Sequence, residues 1–166
     1  NIIYGFPGEP PDEYVHMAAD MTALAHLDPP DLVRLGIDRF SPYHDDAAAL
    51  GLRVLGPKGF YRALYDVRPA SLEELAYFFD AAYLDGRDPD AYISPTKHAI
   101  QRWRAVRKEA ALTCRVGPDF LVIDDQRPGL AARYVLDRAE AAIYLACDAG
   151  ATVSGILRSL PEEISA

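Results

Sequence analysis

The chain has 166 residues, 50% hydrophobic and 25% charged, with 17 Lys and Arg against 25 Asp and Glu and a formal net charge of -8. That composition is globular rather than disordered, and its acidity excludes non-specific nucleic-acid binding, which depends on neutralising phosphates with Lys and Arg. No apolar run approaches the roughly 20 residues that span a bilayer, and the first residues lack the basic region and cleavage site of a secretory signal, so the expectation is a cytoplasmic protein without a membrane partner.

Residues 1–4 (NIIY) form a short apolar, β-prone run stopped by Gly5 and Pro7, which predicts a buried strand. A helix follows, with Pro10 and Pro11 in its first turn, Asp12 and Glu13 at the positive end of its dipole, and Tyr14, Met17, Met21 and Leu24 on one face. Residues 32–40 alternate in part and end at Ser41-Pro42, which predicts a second strand. A connection that contains a helix joins parallel neighbours, so the two strands belong to a parallel sheet. Parallel sheets are normally covered on both faces, and two strands cannot supply that cover.

Further along, residues 47–50 predict a short helix ended by Gly51, and residues 60–65 a strand. Ser71 with Glu74 has the spacing of a capping box, opening a helix with Leu72, Leu75, Phe79 and Ala82 on its apolar face. Ser94 and Pro95 start another helix, running to about Ala110 with Ile100, Trp103 and Val106 on its core side. From Ala111 three short β-prone runs separated by Gly117-Pro118-Asp119 and Arg127-Pro128-Gly129 predict an antiparallel meander. Asp137 then caps a helix with Glu140 three residues on, Gly150 ends it, Thr152 caps the next, and Pro161-Glu162-Glu163 predicts the start of a third.

Two cysteines, Cys114 and Cys147, sit in apolar stretches and are expected as buried free thiols; they are too few and too far apart to hold a metal or an iron–sulfur cluster. His16, His26 and His98 have no ligand spacing and are expected at the surface. The segment from Asn1 to Tyr14 reads as a strand tip whose glycines let a ligand approach the backbone, or as a tight turn and no more. In Ser41-Pro42-Tyr43-His44-Asp45-Asp46, Tyr43 and His44 are candidate catalytic residues, with His44 beside two carboxylates able to move a proton near neutral pH. The alternative there is an exposed turn with an acidic cap.

The motif YGFPGE, followed by RFSPY and then by AYFFD with DGRDP, resembles cobalamin-dependent radical S-adenosylmethionine (SAM) enzymes that mature ribosomally made peptides. The likeness extends more broadly to the cobalamin-associated group that includes oxidative cyclases of porphyrin-like substrates. It implies an α/β fold in which residues 1–59 are the last strands of a parallel, partial TIM-type barrel, residues 60–110 a helical connector, and residues 111–166 a small winged-helix-like tail. It also implies that Ile3, Gly5, Phe6, Gly8 and Glu9 bind cofactor: Ile3 against the adenine of SAM, Gly5 and Gly8 permitting close approach, Glu9 anchoring the loop or bonding the cofactor. The family often has its acidic residue where this chain has Gly8, which leaves the role of Glu9 open between those two. The defining C-x-x-x-C-x-x-C loop and a cobalamin domain have no counterpart here and would precede Asn1, which is not Met.

The resulting expectation is a C-terminal fragment, itself not catalytic and holding no cofactor, of an enzyme that uses a 4Fe-4S cluster, SAM and cobalamin. Its parent would methylate a peptide; an oxidative cyclase is the alternative reaction, and a non-enzymatic peptide-binding domain the alternative class. Expected partners are the upstream part of the same chain and a precursor peptide that adds a strand to the meander. Unpaired barrel strands also predict self-association, as a dimer.

Overall fold

The computed structural model describes residues 1–66, 68–148 and 150–159. The helix predicted at Pro161-Glu162-Glu163 lies outside the described residues. Two compact units form, one from Asn1–Ala19 with Pro30–Gln101 and one from Asp20–Pro29 with Arg102–Ala166.

In the first unit, β1 (Ile2–Tyr4) leads through α1 (Asp12–Asp20) to β2 (Leu32–Arg34), and β1 and β2 pair in parallel as predicted, with Ile2 opposite Leu32, Ile3 opposite Val33 and Tyr4 opposite Arg34. One face of this pair is covered: Tyr4, Tyr14 and Ile93 are buried together, with Ile2, Met17, Leu32 and Tyr92 packed on them. The other face carries the cross-strand neighbours Ile3 and Val33, 51% and 46% exposed.

The strand predicted over residues 32–40 is two strands. The Leu35 amide closes the parallel ladder by donating to the Tyr4 carbonyl, and after Gly36 β3 (Ile37–Asp38) joins a different sheet. That sheet, in the order β3-β5-β4, is antiparallel and pairs β5 (Phe78–Tyr83) with both β3 and β4 (Leu52–Pro57). A bulge between Val54 and Gly56 lets β4 bend, with Gly56 at φ 129°, a value that suits glycine. Ile37, Leu52, Tyr61, Leu72, Ala76 and Phe79 form its core.

Three local expectations give way here. The helix expected at residues 47–50 is a run of turns, and the helix lies earlier as α2 (Pro42–Asp45), where Pro42 presets the first turn. Residues 60–65, aromatic and β-prone, form α3 (Phe60–Leu64) instead, because the Tyr61 hydroxyl reaches the backbone amides of Tyr77 and Phe78 and makes this segment cover the sheet rather than join it. The helix expected from Ser71 is α4 (Pro69–Leu75), which starts at proline with no side-chain cap; Phe79 and Ala82 belong to β5, not to its face. Residues 60–101 thus carry a strand as well as helices, ending in α5 (Pro89–Tyr92) and α6 (Ser94–Val106), whose last residues enter the second unit.

The second unit follows its sequence closely. β6 (Leu112–Val116), β7 (Leu121–Asp125) and β8 (Ala132–Leu136) make the predicted meander, with β7 central. The Asp137 carboxylate accepts from the Ala139 and Glu140 amides at 2.9 and 3.0 Å, and Glu140 accepts from the Asp137 amide at 3.0 Å, closing a capping box on α7 (Arg138–Asp148). Gly150 takes φ 74° beyond the helix, and Thr152 accepts from the Gly155 amide at the start of α8 (Val153–Ser159). Trp103 is buried as predicted, its ring N–H donating to the Leu27 carbonyl at 2.9 Å.

Both cysteines are exposed, contrary to expectation. Cys114 lies on edge strand β6, of which only Leu112 is partly buried, and Cys147 lies near the end of α7, whose buried residue is Ala141. His16 and His98 are exposed, but His26 is half-buried, with Nδ1 shielded and unpartnered among the described residues. The fold is therefore mixed α/β, with a parallel pair and two antiparallel sheets. No helix among the described residues is long and apolar enough to cross a membrane.

Candidate functional site

The C-terminal tip of β1 is held by side chains at almost every step. Gly5, at φ 90°, donates its amide to Glu9 Oε1 at 2.7 Å, and its carbonyl accepts from the Tyr83 hydroxyl. The Glu9 amide returns to the Phe6 carbonyl at 3.3 Å, and the Glu9 carbonyl accepts from Arg87 at 2.9 Å. The Glu9 carboxylate is also the end point of two phenols: Tyr14 donates to Oε2 at 2.8 Å and Tyr92 to Oε1. In this geometry Glu9 ties the loop to its surroundings.

Electrostatics follow from that arrangement. Burial works to raise the Glu9 pKa, but hydrogen bonds from Tyr92, Tyr14, Gly5 and Phe6 outweigh it and hold the carboxyl below its ordinary range. Tyr14 and Tyr92 shift in the opposite direction, first through burial and then through donating to the Glu9 carboxylate, so neither phenol ionises near neutral pH. A second carboxylate, Asp90, accepts from the Tyr4 hydroxyl at 2.8 Å, from Arg34 at 2.7 Å and from Lys97 at 3.0 Å. The bonds from Lys97 and Tyr4, with burial opposing, hold it low as well.

The two glycines have separate structural demands. A side chain at Gly5 would meet the Tyr83 hydroxyl at 2.8 Å in addition to the positive φ, whereas at Gly8 (φ 79°) it would meet nothing within 4 Å. Gly8 is exposed and Ile3 half-exposed, so the outward side of this tip offers an apolar side chain and a bare backbone turn.

Of the candidate catalytic pair, Tyr43 is brought to the tip and His44 is not. The Phe6 and Tyr43 rings meet edge to face, 6.0 Å apart. His44 packs on the Phe79 ring at 4.5 Å and bonds Asp45 at 2.7 Å, lining a different hollow with Arg39, Val54, Glu73 and Glu74. A cavity of about 220 Å³ adjoins the tip through Tyr83; its floor is Leu35, Ile37, Leu52 and Phe79, and its rim carries Arg34, Lys58 and Asp80.

Tyr83, Arg87, Asp90 and Tyr92 complete the site; Arg87 lies within the DGRDP motif, though without a role assigned to it, and the other three are not singled out by motif or spacing. The signal in the sequence for this segment is DGRDP itself, which lies between Tyr83 and Tyr92. Two cysteines cannot supply the three thiolates of a C-x-x-x-C-x-x-C cluster, and no group of three or more His, Cys, Asp or Glu with metal-holding geometry exists among the described residues. No protein-family model, no curated protein and no solved structure matches this chain.

Proposed function

We propose that this chain supplies the last parallel strands of a radical SAM barrel in a cobalamin-dependent enzyme, and that residues 3–9 face SAM at the open end of those strands. The observation that carries the proposal is the β1–β2 pair: two parallel strands with Ile3 and Val33 uncovered on one face and a glycine tip held rigid at their C-terminal end. Parallel strands are normally covered on both faces, and ligands bind at their C-terminal ends in α/β proteins. Further strands of a barrel would supply that cover, and the motif order YGFPGE, RFSPY and DGRDP supports the same family.

The chain's own residues do not fit an iron–sulfur cluster, so the cluster and its cysteines belong to sequence outside these 166 residues. What the chain contributes is positioning: Ile3 as an apolar surface for a base, Gly8 as a backbone turn without steric bulk, and Glu9 as the internal tether. Peptide methylation is the proposed reaction of the parent. The meander, whose outer strands β6 and β8 each leave one edge unpaired among the described residues, is the proposed docking place of the precursor peptide.

The test uses the full gene product, reconstituted with iron, sulfide, SAM and methylcobalamin and offered a candidate peptide. Release of 5′-deoxyadenosine with a peptide heavier by one methyl group supports the proposal. Absence of an upstream C-x-x-x-C-x-x-C loop, or of any SAM cleavage, overturns it, and an oxidised porphyrin-like product assigns the parent to cyclase chemistry instead.

A further inference from the structure

Loop residues 5–9 close on themselves through the Glu9 carboxylate and the Gly5 amide, but that small ring does not fix where the loop lies on the strand. Its placement comes from outside. Tyr14 and Tyr92 hold the carboxylate, Arg87 holds the Glu9 carbonyl, and Tyr83 alone among these holds the carbonyl of Gly5, the first residue beyond the strand. Tyr83 differs from the other three in a second respect: its side chain also lines the 220 Å³ cavity, beside Arg34 and Lys58. Burial raises its pKa, with Arg34 opposing, so the hydroxyl stays a donor across the neutral range.

We propose that Tyr83 is a positioning residue, with its ring as a wall of the cavity and its hydroxyl setting the Gly5 carbonyl, so that β5 dictates the shape in which the strand tip meets its ligand. This rests on the reading of the tip as the SAM-facing loop. Occupation of the cavity and geometry of the tip then share one side chain. A Cβ at Gly5 would stand 2.8 Å from the hydroxyl, so a larger residue there would be strained by the positive φ and would have to displace the Tyr83 hydroxyl. Tyr83→Phe isolates the hydroxyl: the ring and the cavity wall remain, while the bond to the Gly5 carbonyl and the hydroxyl's interaction with Arg34 are removed.

Two measurements decide it. In the chain itself, hydrogen–deuterium exchange in Tyr83→Phe should accelerate by about fivefold in a peptide covering residues 3–9, the factor expected from losing one hydrogen bond, while peptides from β4 and β6–β8 keep wild-type rates. In the reconstituted full enzyme the same variant should raise KM for SAM by a similar factor with kcat unchanged, and Tyr144→Phe, on the exposed side of α7, should change neither. Unchanged exchange in residues 3–9, or acceleration spread over the whole chain, overturns the proposal, since the hydroxyl then holds nothing or merely stabilises the fold. A fall in kcat at unchanged KM overturns it too. If the wild-type enzyme neither binds nor cleaves SAM, the proposed function fails and the exchange experiment alone still decides the role of Tyr83.

Discussion

At the strand tip, three of the partners that hold Gly5 and Glu9, namely Tyr83, Arg87 and Tyr92, lie 78 to 83 positions away in the chain, beside the nearby Tyr14. At the start of α7, the capping bonds come from two or three positions away. The second kind of structure can be written by a few neighbouring residues, and the first only by a fold that is already assembled. The tip is consequently cross-linked by side-chain hydrogen bonds, while the meander's outer strands β6 and β8 each leave one edge unpaired among the described residues. A preorganised tip suits a small cofactor, which gains little from contacts it must first order; an open edge suits an extended peptide, whose backbone supplies the missing bonds.

The largest expected effect concerns the support beneath the tip's neighbouring sheet. Leu52, almost fully buried in the same core cluster as Ile37 and Phe79 in the first unit, should cost about 2–5 kcal/mol when replaced by alanine. Urea denaturation followed through that unit's tyrosines would read it, and a loss under about 1 kcal/mol would mean that the sheet does not carry the unit.

Next is the tether. Glu9→Ala leaves two phenols and the Gly5 amide without their acceptor and should cost about 2 kcal/mol. Because the folded-state pKa of Glu9 is lowered, its contribution is present above the ordinary carboxylate pKa and disappears as pH falls through the lowered value. Glu9→Gln should therefore flatten the acid limb of the stability profile below about pH 4.5, and an unchanged acid limb would show that the carboxylate is not held as described.

Local features should give smaller responses. Asp137→Ala should cost about 1 kcal/mol, read by helical circular dichroism on melting, because it removes the acceptor of two amides at the start of α7. Cys114→Ser and Cys147→Ser should each change stability by no more than about 0.5 kcal/mol, and both thiols should react with an aromatic disulfide reagent in the native protein. A thiol that reacts only after unfolding would place that cysteine in a core.

This ordering also explains what was legible in the sequence. The meander, the Asp137 capping box, Gly150 and the Thr152 cap were readable because turn and cap chemistry is local. The β1–β2 parallel pair was readable because a helix separates two apolar runs. Phe60 and Tyr61 misled because aromatic residues favour strands in general, whereas here the Tyr61 hydroxyl serves the backbone of a segment sixteen residues on. Phe79 misled because a spacing of four fits both a helix face and the approach to a strand. At the tip, Gly5, Gly8 and Glu9 were visible as a motif, and Arg87 within DGRDP, but the pairing of Tyr83, Arg87 and Tyr92 with the tip was not, since no local pattern marks a partner about eighty residues away.

The most direct measurement is hydrogen–deuterium exchange of the full, reconstituted enzyme with and without SAM. The account predicts protection on SAM addition in peptides covering residues 2–9, with the meander unchanged until peptide is added. SAM cleavage without any protection in residues 2–9 would contradict it.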